Sequence, residues 1–137
     1  MPYLDIKLSG PCLPGNAQKL AACMTELAVH VLRKEREVTA ATVHCMPPGH
    51  WTIGGSAIDE RGITSFFLEI SVTAGSNTPE EKRAFVGSAF KAAERILGRL
   101  APASYVVVRD IPGDSWGYQG LTQQARRLQR VAMEAVA

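Results

Sequence analysis

The sequence predicts an α+β fold of two tandem β-α-β units. They form a four-stranded mixed sheet backed by two helices, with a further helix at the C-terminus. Three observations carry this reading. The pattern P-x-x-x-W-x-x-x-G occurs twice, as Pro47, Trp51, Gly55 and as Pro112, Trp116, Gly120, at an offset of 65 residues. The same offset carries Val43 onto Val108 and Ile53 onto Tyr118. Upstream, Ile6 and Leu8 match Ile70 and Val72 at an offset of 64, so one insertion or deletion separates strand from tryptophan. The 137 residues therefore read as one domain holding repeats over 2–60 and 64–125, with the last helix over 122–136.

In repeat one, Leu4, Ile6 and Leu8 alternate and predict a strand from Tyr3 to Leu8. Leu20, Met24, Leu27, Val31 and Leu32 fall on one face of a helix from about Ala17 to Lys34. A second strand follows over about Thr39 to Met46, and Pro47-Pro48-Gly49 stops it. In repeat two, Phe66 to Val72 is apolar and β-prone. Thr78, Pro79 and Glu81 spell a capped helix start with a capping box. That helix turns Phe85, Ala89, Ala92, Ala93 and Ile96 inward and ends near Gly98. Val106, Val107 and Val108 read as a strand buried on both faces. The last helix carries Leu128, Val131 and Ala132 opposite its arginines. Gly54-Gly55 has turn chemistry and lacks the dinucleotide-loop spacing. A sheet with helices on one face only leaves the other to be covered by oligomerisation.

Composition narrows the function classes. Apolar content is 46%, charged content 20% and net charge +2, which does not argue for nucleic acid and does not oppose small anionic ligands. Arg126, Arg127 and Arg130 form the one dense basic stretch and read as a solvated helix face. Three cysteines, Cys12, Cys23 and Cys45, with no CxxC pair, fit a reducing cytoplasm better than a disulfide framework or a zinc site. No signal peptide or membrane span is recognised, and neither a metal nor a cofactor is expected.

Pro2 followed by strand, helix, strand and PPGHWTIGG resembles the tautomerase superfamily, and its 4-oxalocrotonate tautomerase group in particular. Gly49, His50, Trp51, Ile53, Gly54 and Gly55 carry the likeness. The doubled unit resembles the fused members, such as malonate semialdehyde decarboxylase and cis-3-chloroacrylic acid dehalogenase. The resemblance implies a tautomerase/MIF-like fold, a homotrimer, a small anionic organic acid as substrate, and the amine of Pro2 as catalytic base. That amine exists only once Met1 is removed, which a proline in second place permits. A general base works best with a pKa near the working pH. Burial among apolar groups lowers an amine's pKa by disfavouring its cation. Tyr3, with Trp51 or Trp116 brought in by folding or by a neighbouring subunit, would supply that setting. A neutral amine then moves a proton between carbon and oxygen, as a tautomerase or isomerase. A cationic amine in the same pocket would favour a dehalogenase, hydratase or decarboxylase instead, so the fold alone does not choose the reaction.

The sequence also departs from the pattern. The places where the family holds substrate carboxylates with arginines carry Pro11, Ala40, Ser76 and Tyr105. Phe66 stands where repeat two would need its proline. Candidate substrate-binding residues are therefore Arg109, Tyr105, His50, Trp51, Trp116 and Arg61. Each has a plainer reading: an Arg109–Asp110 surface pair, an exposed loop Arg61, core or interface tryptophans. Loss of the arginines also leaves open a non-catalytic binding module, a role that ferredoxin-like domains of the same element order serve.

Overall fold

The computed structural model describes residues 1–58 and 62–136. Elements follow in the order β1 (Tyr3–Leu8), α1 (Asn16–His30), a 3₁₀ turn (Arg36–Val38), β2 (Ala40–Cys45), β3 (Thr52–Ile53) and β4 (Ser56–Ala57). Then come β5 (Phe66–Thr73), α2 (Pro79–Leu97), β6 (Tyr105–Ile111), β7 (Gly117–Tyr118), β8 (Leu121–Thr122) and α3 (Gln123–Val136). The main sheet has four strands in the order β2-β1-β5-β6. Each repeat contributes one parallel pair, and the central pair β1–β5 is antiparallel, with Ile6 opposite Leu68. This is the mixed sheet backed by two helices that the repeat predicts.

The core lies between the sheet and its two helices. Leu4, Ile6 and Leu8 of β1 and Phe66, Leu68, Ile70 and Val72 of β5 are buried against Leu20, Met24 and Ala28 of α1 and Phe85, Ala89, Ala92 and Ala93 of α2. Alternate residues of both central strands thus supply one wall, and small alanines let α2 approach closely. The predicted capping box is present: Thr78 Oγ1 accepts from Glu81 N at 3.1 Å, and Thr78 N donates to Glu81 Oε1 at 2.8 Å.

Three expectations need correction. Helix α1 ends at His30, short of Lys34, because Arg33 turns to φ 58° and Lys34 N reaches back to Ala28 O at 3.1 Å. The valine run of β6 is covered on one face only, since Val106 and Val108 pack on the core while Val107 stays 37% exposed. Cys12 and Cys45 form a disulfide, and only Cys23 is free. Cysteine spacing along the chain could not show that pair. Cys45 lies beside Leu8 in the β1–β2 register, so the loop after β1 returns to it.

The sheet face turned away from the helices is open and mixed in character. Tyr3 Oη and Thr42 Oγ1 share a hydrogen bond of 2.8 Å, and the Lys7 ammonium lies 5.4 Å from the centre of the Phe67 ring. Tyr3 and Tyr105 are 42% and 61% exposed on the same face. No helix among the described residues is long and apolar enough to cross a membrane. Thr78→Ala removes one half of the capping box and should lower unfolding stability by about 1 kcal/mol. A urea titration checks this, with an unchanged slope expected.

Candidate active site

The antiparallel sheet core decides what meets Pro2. Strand β6 runs against β1, so the segment after β6 emerges at the end where β1 starts. That segment is the β7–β8 hairpin, and it folds over the N-terminus. Pro2 is buried, its carbonyl accepts from Ala40 N at 3.4 Å, and it opens on a cavity of about 370 Å³. Met1, Tyr3, Val38, Ala40, Trp116, Gly117 and Tyr118 complete the lining. This volume falls within the usual range for small-ligand sites.

The hairpin holds its shape for specific reasons. Its central residues Gln119 and Gly120 sit at φ 55° and 80°, the pair of positive angles a tight hairpin turn requires. A Cβ at Gly117 would lie 1.8 Å from the Leu121 carbonyl oxygen, so no side chain fits there. Trp116 is fixed by a hydrogen bond from its Nε1 to Thr73 Oγ1 at 3.3 Å, and its carbonyl accepts from Gln123 N at 2.9 Å.

The same geometry repeats at the other end of the sheet. Hairpin β3–β4 turns through Gly54 and Gly55 and, with Trp51, covers the start of β5 and β6. Trp51, Thr52, Ile53, Gly54, Phe67, Ala103 and Tyr105 line a cavity of about 270 Å³. Five of these match residues of the Pro2 cavity at the offset of 65, and Phe67 matches Tyr3 at 64. Phe66, buried in the core, stands where Pro2 stands in the first cavity.

Of the residues singled out from sequence, the fold brings Pro2 and Trp116 together. Trp51 and Tyr105 meet each other in the second cavity, away from Pro2. His50 is exposed in the turn before β3, where its N–H donates to Pro47 O at 3.1 Å. Arg109 lies on the open face, in the cross-strand row that runs through Ser71 to Tyr3. Its ion-pair partner is Glu69, at 3.5 Å, and Asp110 pairs with Lys82 instead. Arg61 lies outside the described residues.

Charges near the N-terminus were not singled out from the sequence. The terminal amine, carried here by Met1, is held below its ordinary value of 8.0. Burial is the main cause, Lys34 adds to it, Glu35 opposes it, and Arg126 and Arg130 push the same way as Lys34. Lys34 is itself lowered, chiefly by burial, and its Nζ donates to Ser76 Oγ at 3.0 Å. Arg126 stacks on Tyr118, with Cζ 3.8 Å from the ring centre, and its Nη2 donates to Tyr118 O at 2.8 Å. The arginine cluster was visible in the sequence, but helical periodicity alone did not say that Arg126 packs on a residue of the pocket wall. Among the described residues, no group of three or more His, Cys, Asp and Glu is placed to hold a metal ion.

Residues 67–126 match the sequence model of a family described as Tautomerase enzyme. The fold resembles that of a fused 4-OT symmetric trimer, at 21% identity and a TM-score of 0.80, covering 90% of this chain and 98% of that one. It also resembles Pt0534 inactivated by 2-oxo-3-pentynoate, at 17% identity and a TM-score of 0.81, with 90% and 98% covered. A macrophage migration inhibitory factor-like protein from Entamoeba histolytica matches at 19% identity and a TM-score of 0.72, with 88% and 97% covered. No curated protein sequence matches the chain. The chain thus has the tautomerase/MIF-like fold in its fused, two-repeat form, and its second repeat carries the Tautomerase signature.

Gly117→Ala is expected to displace the hairpin, lowering stability by about 1–3 kcal/mol through overpacking. Tryptophan emission should shift to longer wavelength as Trp116 is exposed.

Proposed function

We propose that this protein is a tautomerase whose general base is the amine of Pro2, freed by removal of Met1, acting on a small α-keto or enol carboxylic acid. The observation that carries the reading is the buried Pro2 opening on an aromatic-walled cavity beneath cationic groups. The terminal amine is lowered chiefly by burial already at Met1, and Pro2, one residue further in, lines the same apolar cavity, where desolvation acts in the same direction. A neutral amine at working pH is what proton abstraction needs.

The step balances without a cofactor. In ketonisation, the neutral amine takes the enol O–H proton while the oxygen's electron pair forms the carbonyl. The C=C pair then accepts the proton at carbon, and the amine is neutral again. Trp116, Tyr118 and Tyr3 keep water from the amine, which holds its cation at a disadvantage.

The open sheet face supports assembly as a homotrimer, the state of the fused 4-OT structure. Sedimentation equilibrium should give three times the 14.8 kDa chain mass.

Intact mass comes first, to establish that Met1 is absent. Ketonisation of phenylenolpyruvate is then followed by ultraviolet absorbance. Pro2→Ala should lower kcat/KM by about 10²–10⁴-fold, the usual worth of a general base. Equal rates for both proteins would sink the proline mechanism. Because the neutral amine is the active form, kcat/KM should rise with pH. The midpoint should lie below that of an ordinary α-amine, following the downward shift at the N-terminus. Incubation with 2-oxo-3-pentynoate should place a label on Pro2, the amine adding to the alkyne carbon and its proton passing to the neighbouring one.

A further inference from the structure

We propose that Arg126 of the C-terminal helix pairs with the substrate carboxylate at the Pro2 cavity, so that the anion-holding group lies outside the two β-α-β units. The inference rests on the reading of that cavity as the substrate site. It supplies a cation where Pro11 and Ala40 offer none.

The placement of Arg126 is unusual for a helix-surface arginine. Its guanidinium is spread over the ring of Tyr118, which is a wall of the cavity. Nη2 is spent on the Tyr118 carbonyl, while Nε is buried and has no hydrogen-bond partner. A buried donor without a partner costs free energy unless something else supplies the acceptor. None of the ion pairs among the described residues involves Arg126, so none of their carboxylates meets its charge. The stack and the carbonyl bond hold the fork still, which reduces the entropy lost when an anion docks.

The surroundings add to this. Arg130 lies one helical turn beyond Arg126 on the same side of α3, and Lys34 follows the end of α1. All three act on the N-terminal amine with the same sign, and among the described residues Glu35 is the acid that opposes them. An entering monoanion therefore meets a field that attracts its carboxylate, over an apolar floor that accepts the rest of the molecule. The cavity lining itself carries no arginine or lysine, so Arg126 acts from behind the Tyr118 wall. A ligand with one carboxylate and an apolar remainder suits this arrangement better than a dicarboxylate.

The test compares an acid with the ketone that lacks its carboxylate. Phenylpyruvate and 1-phenylpropan-2-one are titrated against the Met1-free protein by quenching of tryptophan fluorescence, and phenylenolpyruvate turnover is measured in parallel. Arg126→Gln should weaken phenylpyruvate binding and raise KM by roughly tenfold or more, the worth of one charge-assisted hydrogen bond. Ketone binding should be unchanged. Arg126→Lys should recover part of the loss. Arg127→Gln, on the exposed side of the helix, should leave all values unchanged. The apparent pKa of kcat/KM should also rise in Arg126→Gln, because a positive charge facing the amine is gone. If Arg126→Gln binds the acid as tightly as the parent, or loses acid and ketone equally, the proposal is overturned. Pro2→Ala separates this from the catalytic reading. Loss of turnover with retained preference for acid over ketone supports both. Retained turnover would refute the proline base while the binding comparison still decides the case of Arg126.

Discussion

The amino-terminal cavity depends on the antiparallel pairing of β1 with β5. Each repeat alone is a parallel pair with a hairpin trailing from its second strand. Joined antiparallel, the two repeats point their hairpins at opposite ends of the sheet. Each hairpin then arrives where the other repeat begins. Trp116 reaches Pro2 for this reason, and Trp51 reaches Phe67 and Tyr105 for the same reason. A parallel junction would leave Pro2 without its aromatic wall. The one-to-one register from Tyr3–Ser71 to Leu8–Phe66 therefore does more for the site than any single side chain in it.

That symmetry is broken in the lining of the two cavities. Phe66 fills the place of Pro2 and joins the core, stacking near Phe90 at 6.3 Å between ring centres. Tyr105 replaces the small Ala40, and the second cavity is correspondingly smaller. Its lining is uncharged, and among the described residues no helix follows its hairpin as α3 follows β7–β8. The duplicated architecture survives at both ends, while the proline and the stacked Arg126 stand at one only.

The tandem units, the strand β1, the capped start of α2 and the glycine turn of β3–β4 were legible in the sequence because each rests on local chemistry. Alternation, a capping box and paired glycines act over a few residues. Pro2 was singled out for a different reason, its place in a resembling pattern. What sequence spacing did not reveal depends on contacts between distant segments. Both tryptophans have the same local pattern, so only the sheet direction says which one covers Pro2. Cys12 and Cys45 become neighbours through the β1–β2 register. Val107 sits in an apolar run that looks buried on both sides, yet only helices α1 and α2 are available to cover the sheet, and they lie on one side. Arg126 was read as solvated because amphipathicity divides a helix into faces without saying what lies opposite each.

Helix α3 contributes no buried residue, and its elements of contact are the β7–β8 hairpin and its neighbours. The hydrophobic core closes without it. Substitutions at the exposed positions of α3 beyond Arg126 therefore cost the folded chain little, whereas the same changes in α1 or α2 would open voids beneath the sheet. The chain separates the part that must be kept in order to fold from a part that can drift. A lineage carrying this appendage has a tuning surface beside an otherwise inflexible cavity, and new preferences can be tried there one residue at a time.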